Sequence, residues 1–208
     1  MTVAADPVVA TLGDECEAGG APVDLAVVFT DLEGFTAFTA AEGDDAAGRL
    51  LLAHYRHAEQ LARRRGGRVV KRLGDGLLLV FASPPAAVLT CLELRETAPL
   101  PLRAGLHRGV VNVTADDDVV GHVVNLASRV ATSARPGEIL VTDEVRIGAA
   151  PFSCLMFEGP MARRFKGIDE LVPVSATSRA ACDWGPTGLR EGGRGQEQSR
   201  TSNHRRPR

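Results

Sequence analysis

Two apolar runs, Arg68 to Leu73 and Leu77 to Ala82, are separated only by Gly74-Asp75-Gly76. Strand-forming residues on either side of such punctuation read as a β-hairpin, because glycine supplies the backbone freedom of a tight turn. What flanks the hairpin narrows the fold further. Leu25 to Thr30 reads as a buried strand. Ala47, Leu50, Leu51, His54, Tyr55, Ala58, Leu61 and Ala62 then recur at helical spacing and predict a helix from about Asp44 to Arg65. Arg63, Arg64 and Arg65 suit its negative C-terminal end, and Gly66-Gly67 stops it. After the hairpin, Ser83-Pro84-Pro85 opens a helix to about Thr97, and a strand follows from Leu102 to Val113. The order β-α-β-β-α-β predicts an α+β fold with a ferredoxin-like core, an antiparallel-rich sheet with helices on one face and the other face free for a partner or substrate. Beyond it, the acidic loop Asp116-Asp117-Asp118 leads into a helix from about His122 to Ser133. A short strand runs from Glu138 to Val141, and shorter elements continue to Ala176.

At 208 residues with 44% hydrophobic content, the chain can build one sizeable core. The expected division is a loose lead-in over 1–23, one domain over 24–178, and a disordered basic tail over 179–208 carrying seven arginines. A net charge of -2 gives no global attraction to nucleic acid or to an anionic membrane. No apolar run approaches the roughly 20 residues of a membrane span, and no signal-peptide pattern is present, so a cytoplasmic location is the expectation. Cys16, Cys91, Cys154 and Cys182 lie too far apart for a metal motif and read as free thiols.

Chemistry concentrates at strand ends. Asp31 follows the first strand and Asp75 sits at the hairpin turn. Alone, each is an ordinary cap or turn aspartate. In the expected core the first strand and the hairpin are neighbours, so both carboxylates converge at one sheet edge, as hard oxygen ligands for a pair of divalent cations. Gly34, Phe35 and Thr36 place a turn and a helix start where backbone N–H groups can cradle a phosphate chain. Lys71 lies four residues before Asp75, about 13 Å away in an extended strand, so the two do not meet on one atom of one ligand. Asn125 and Arg129 share a face of their helix, with Val123, Ala127, Val130 and Ala131 toward the core. The chain has 22 arginines and only two lysines, Lys71 and Lys166, a usage that fits sites needing a compact point charge. His54 and His57 lie near one another on the long helix and read as a half-exposed structural pair.

Three segments, Phe29 to Thr36, Lys71 to Asp75 and Asp118 to Arg129, together resemble the catalytic domain of class III nucleotide cyclases, over about Asp24 to Thr177. The resemblance implies a head-to-tail homodimer with shared sites. Asp31 and Asp75 would come from one chain, and Lys71, Asp118, Asn125 and Arg129 from the other. It implies that Asp31 and Asp75, assisted by the Leu32 carbonyl, hold two divalent cations, Mg2+ or Mn2+. Lys71 and Asp118 would read the adenine edge of ATP, Asn125 would orient the ribose, and Arg129 would stabilise charge on the reacting phosphate. Arg103 and Lys166 match positions that contact the distal phosphates. The implied reaction is adenylate cyclisation, attack of the ribose 3'-hydroxyl on the α-phosphate with loss of pyrophosphate. The alternative is a catalytically silent dimerisation or nucleotide-sensing module. The segment from Gly109 to Asp118 is shorter than the dimerisation arm of many relatives, and an unidentified regulator is a further expected partner. A diguanylate cyclase signature and a P-loop are both absent from the sequence.

Overall fold

The computed structural model describes residues 22–180. Its strands are β1 (Pro22–Leu32), β2 (Gly67–Leu73), β3 (Gly76–Phe81), β4 (Leu102–Val113), β5 (Val119–Val120), β6 (Ile139–Thr142), β7 (Leu155–Arg163) and β8 (Val172–Arg179). Its helices are α1 (Phe35–Glu42), α2 (Asp44–Arg64), α3 (Pro84–Thr97), α4 (His122–Thr132) and α5 (Asp143–Ala149). Among the described residues the strands form one sheet in the order β2-β3-β1-β4-β6-β8-β7, with β5 paired to β4. Among these pairings only that of β4 with β6 is parallel. The first four strands and their helices have the ferredoxin-like order expected from the sequence, with β1 in the middle, bonded to β3 on one side and β4 on the other. The expected lead-in and tail, with Cys16, Cys182 and most of the seven arginines, lie outside the described residues, although β1 takes in Pro22 and Val23 and β8 runs through Arg179.

The core's own helices, α2 and α3, share one face as expected, while α4, which follows the core, covers the face expected to be free. Ala26, Val28 and Leu32 of β1 pack with Ala58 and Leu61 of α2 and with Ala87, Val88 and Cys91 of α3. Leu25 and Val27 turn the other way, into a second core with Val123 and Ala127 of α4. The reason lies in β1 itself. Leu25-Ala26-Val27-Val28 is apolar at both parities, so both faces of the strand require cover. Contact between α4 and β4 is close enough to specify glycine: a Cβ on Gly105 would lie 2.0 Å from the Ala131 backbone nitrogen. No side chain fits there, and α4 takes its seat and its rotation from that approach. A third cluster, with Leu126 and Val130 of α4, Leu140, Phe165, Val172 and Val174, ties α4 to the β6–β8 end of the sheet.

His54 departs from the half-exposed expectation. It is buried on α2, only 4% exposed, and its Nε2 has no hydrogen-bond partner. His57 beside it bonds Thr97 Oγ1 at 2.9 Å. Burial, and secondarily the charge of His57, pull the His54 pKa from 6.5 to about 4. The unfolded chain therefore takes up a proton that the folded chain refuses between about pH 6.5 and pH 4. This contribution to stability is whole above pH 6.5 and is lost as the pH falls through that window. Urea unfolding is expected to show roughly 2 kcal/mol less stability from this residue at pH 5 than at pH 7. A His54→Leu variant should lack that share of the pH dependence, and an unchanged slope in the variant would refute the assignment. Cys91, also buried, has its thiol pushed up to about 12 and is inert at neutral pH.

Candidate active site

The end of β1 and the β2–β3 turn form the first half of the site. Pairing of Thr30 with Leu77 brings the turn alongside Asp31. A Cβ on Gly76 would lie 2.5 Å from the Thr30 carbonyl oxygen, so the turn approaches β1 as closely as backbone permits. The carboxyl of Asp75 is held above its ordinary range, first by burial and then by the negative charge of Asp31. Each of these effects opposes a second bare carboxylate at this edge, and a cation between the two groups would relieve both. Arg103 faces Asp31 across the β1–β4 pairing and donates from Nε and Nη2 to Asp31 Oδ2, at 2.9 and 2.6 Å. Its Nη1 lies 3.6 Å from Glu33 Oε2. A cavity of about 200 Å3 opens beside Asp31, lined by Arg103, Gly76 and Leu73 with Ser128 and Thr132 of α4. Gly34 caps the N-terminus of α1 in a left-handed conformation, with Phe35 and Thr36 as its first residues, directly after Leu32 and Glu33.

A second group of side chains gathers elsewhere on the surface. Lys71, on β2, donates from Nζ to Asp118 Oδ2 at 2.5 Å, and the two side chains are 47% and 26% exposed. That hydrogen bond, more than any other influence, lowers the Asp118 pKa below the usual carboxylate range. Arg68 donates to the Asp117 carbonyl oxygen at 2.8 Å and fixes the acidic loop to the same strand. Asp118 also accepts from the Val119 N–H, which joins the loop to β5 just ahead of α4. Asn125 and Arg129 are exposed on α4. Lys166 is exposed in the loop between β7 and β8, and its neighbour Phe165 anchors that loop against Leu126 and Val130 of α4.

The residues singled out from sequence thus fall into two sets within one chain. Asp31, Leu32, Asp75, Arg103 and the Gly34-Phe35-Thr36 start of α1 make one. Lys71 and Asp118 are brought into contact in the other; Asn125 and Arg129 on α4 and Lys166 in the β7–β8 loop are exposed, and α4 also lines the Asp31 cavity through Ser128 and Thr132. Among the described residues no hydrogen bond or ion pair joins Asn125 or Arg129 to Asp31 or Asp75. Nor do three His, Cys, Asp or Glu side chains cluster as a metal-binding group there.

A family model for the adenylate and guanylate cyclase catalytic domain matches residues 22–153. The chain belongs to that family. It is 36% identical over 179 residues to a pH-sensitive adenylate cyclase of Mycobacterium tuberculosis, an alignment covering 79% of this chain and 43% of the relative. It is 39% identical over 122 residues to an adenylate cyclase of Streptomyces coelicolor, covering 56% and 32%. The cyclase domain spans less than half the length of these curated relatives. Its fold is similar to the crystal structure of the adenylyl cyclase CyaB from Pseudomonas aeruginosa, with a TM-score of 0.71 and 25% identity, over 79% of this chain and 98% of that one. Among the described residues, no helix of the cyclase domain is long and apolar enough to cross a membrane.

Two contacts of the cyclase domain escaped the sequence reading. Tyr55, taken there as one member of an apolar helix face, donates its hydroxyl to the Gly74 carbonyl oxygen, at the turn that carries Asp75. The signal for it was chemical rather than periodic, since a half-buried phenol needs a partner for its polar tip. The Arg103–Asp31 pair had no local signal at all, because it depends on strand register across 72 residues of chain.

Proposed function

We propose that this cyclase domain converts ATP to 3',5'-cyclic AMP and pyrophosphate at sites shared between two copies in a head-to-tail homodimer. The observation that carries the base preference is the Lys71–Asp118 pair: an accessible ammonium donor beside an accessible carboxylate acceptor, the complement of a ring nitrogen and an exocyclic amine on adenine. The guanine edge presents a carbonyl oxygen where adenine presents that amine, so the carboxylate would face an acceptor. The pairing of the two aspartates, with the Leu32 carbonyl following Asp31 in the chain, is an all-oxygen donor set that fits Mg2+ or Mn2+. Divalent cations bound there supply charge neutralisation for the attacking 3'-oxygen and the departing pyrophosphate.

The rest of the chemistry is positioning by this chain's own groups. Arg103 shields Asp31 and is within reach of the phosphate chain that approaches the same edge, while the first N–H groups of α1 at Phe35 and Thr36 face the distal phosphates. From the second chain, Asn125 holds the ribose, Arg129 meets the charge that develops on the α-phosphate, and Lys166 adds a point charge on the distal phosphates. The grouping supports this division. Arg103 sits with the aspartates, whereas Lys166 is tethered through Phe165 to the helix bearing Asn125 and Arg129.

Cyclic nucleotide production by the purified protein, with ATP or GTP, in Mg2+ or Mn2+ and across a dilution series, tests the reading. Cyclic AMP from ATP, with specific activity falling on dilution, is the expected result. A preference for GTP would overturn the base assignment, and absence of product under every condition would favour the silent module.

A further inference from the structure

Helix α2 reaches the β2–β3 hairpin through two of its side chains, Tyr55 and Glu59, which hold Arg72 of β2 between them. Tyr55 donates its hydroxyl to the Gly74 carbonyl oxygen. The Arg72 guanidinium lies over the Tyr55 ring, 4.9 Å from the centroid, and donates from Nη2 to Glu59 Oε1 at 2.6 Å. Tyr55 and Glu59 are four residues apart and share a face of α2, so Arg72 is held between them.

The hairpin does not need these contacts to close. β2 and β3 pair Arg72 with Leu77 and Leu73 with Gly76, and Gly74 takes the positive φ of +66° that a two-residue turn requires. The core-facing surface of α2 is carried by Ala58, Leu61 and Ala62. An exposed hydrogen bond and an exposed ion pair add little to stability. What they oppose is specific to this site. Asp75 is pushed from Asp31 by like charge, and a turn of two residues held only at its strand ends can yield to that push.

We propose that Tyr55, with Arg72 clamped between its ring and Glu59, is a positioning residue that fixes the Gly74–Asp75 turn and so sets the divalent-cation affinity of the Asp31–Asp75 pair. The strut acts on the backbone next to the ligand rather than on the ligand itself, as outer partners of metal-binding side chains do. This inference rests on the metal assignment of the proposed function.

The test titrates Mn2+ into the 208-residue protein and reads free Mn2+ by electron paramagnetic resonance, for wild type, Tyr55→Phe, Arg72→Gln and Asp75→Asn, with thermal unfolding alongside. Tyr55→Phe removes one oxygen and keeps the ring, and is expected to weaken Mn2+ binding by about tenfold with little change in Tm. Arg72→Gln should weaken it in the same direction. The Mn2+ concentration for half-maximal turnover at saturating ATP should rise in parallel. Undiminished Mn2+ affinity in Tyr55→Phe and Arg72→Gln, beside loss of binding in Asp75→Asn, overturns the strut and leaves the metal assignment standing. A lowered Tm with unchanged Mn2+ affinity does the same, since it marks a purely structural contact. Undiminished binding by Asp75→Asn, or none by wild type, overturns the metal assignment and the strut with it.

Discussion

Asp75→Asn is expected to lower cyclic nucleotide formation by about three orders of magnitude, measured as initial rate at saturating ATP and Mn2+. The substitution keeps a turn-compatible side chain of the same size and removes only the charge. It should not cost stability. The carboxylate it replaces is disfavoured in the folded chain by burial and by Asp31, so the variant should unfold at the same temperature as wild type or slightly above it. That combination, activity lost and stability kept, separates a ligand from a structural aspartate. A rate near that of wild type would remove Asp75 from the chemistry, and with it the reason for the close approach of Gly76 to β1.

The second expected result concerns which chain supplies which half. Arg129→Ala alone should lose about two to three orders of magnitude in rate, the loss of a cation that meets developing charge. When Asp75→Asn and Arg129→Ala chains are mixed and allowed to exchange, about a quarter of the wild-type rate should return. Random pairing makes half the dimers mixed, and each mixed dimer keeps one of its two sites intact. The physical basis is the division within each chain. Asp31 and Asp75 converge with Arg103, while Arg129 stands exposed on α4 without a bond to either aspartate, and Lys71, four residues along the strand from Asp75, is turned to Asp118. If each chain held a complete site, the mixture would stay as inactive as its components.

Much of this was legible locally. The hairpin shows in Gly74-Asp75-Gly76, α3 opens at its two prolines, and β4 runs from Leu102 to Val113, the bounds its composition suggests. These features depend on a few consecutive residues, where turn chemistry and periodicity act directly. The first strand and the long helix were also legible, with ends displaced by a few residues. α1 was read only as a helix start at Phe35, since its eight residues have no buried side chain to impose a helical stripe. The second covered face of the sheet was signalled by the unbroken apolar run of β1 but was not drawn from it. A run apolar at both parities fits several burial arrangements, and only the approach of Gly105 to Ala131 decides which helix fills the second face.

By itself, the sequence determined the order of elements and the identities of the chemical groups, because propensity, turn residues and motif spacing are properties of short stretches. Tertiary structure alone decided the pairings. Arg103 reaches Asp31 across 72 residues, Lys71 reaches Asp118 across 47, and Tyr55 reaches the turn before Asp75 from a helix whose periodicity does not name that partner. Each pairing follows from strand register and helix seating. Those are fixed by the packing of the whole sheet against helices on both faces, and no local stretch of the chain encodes them.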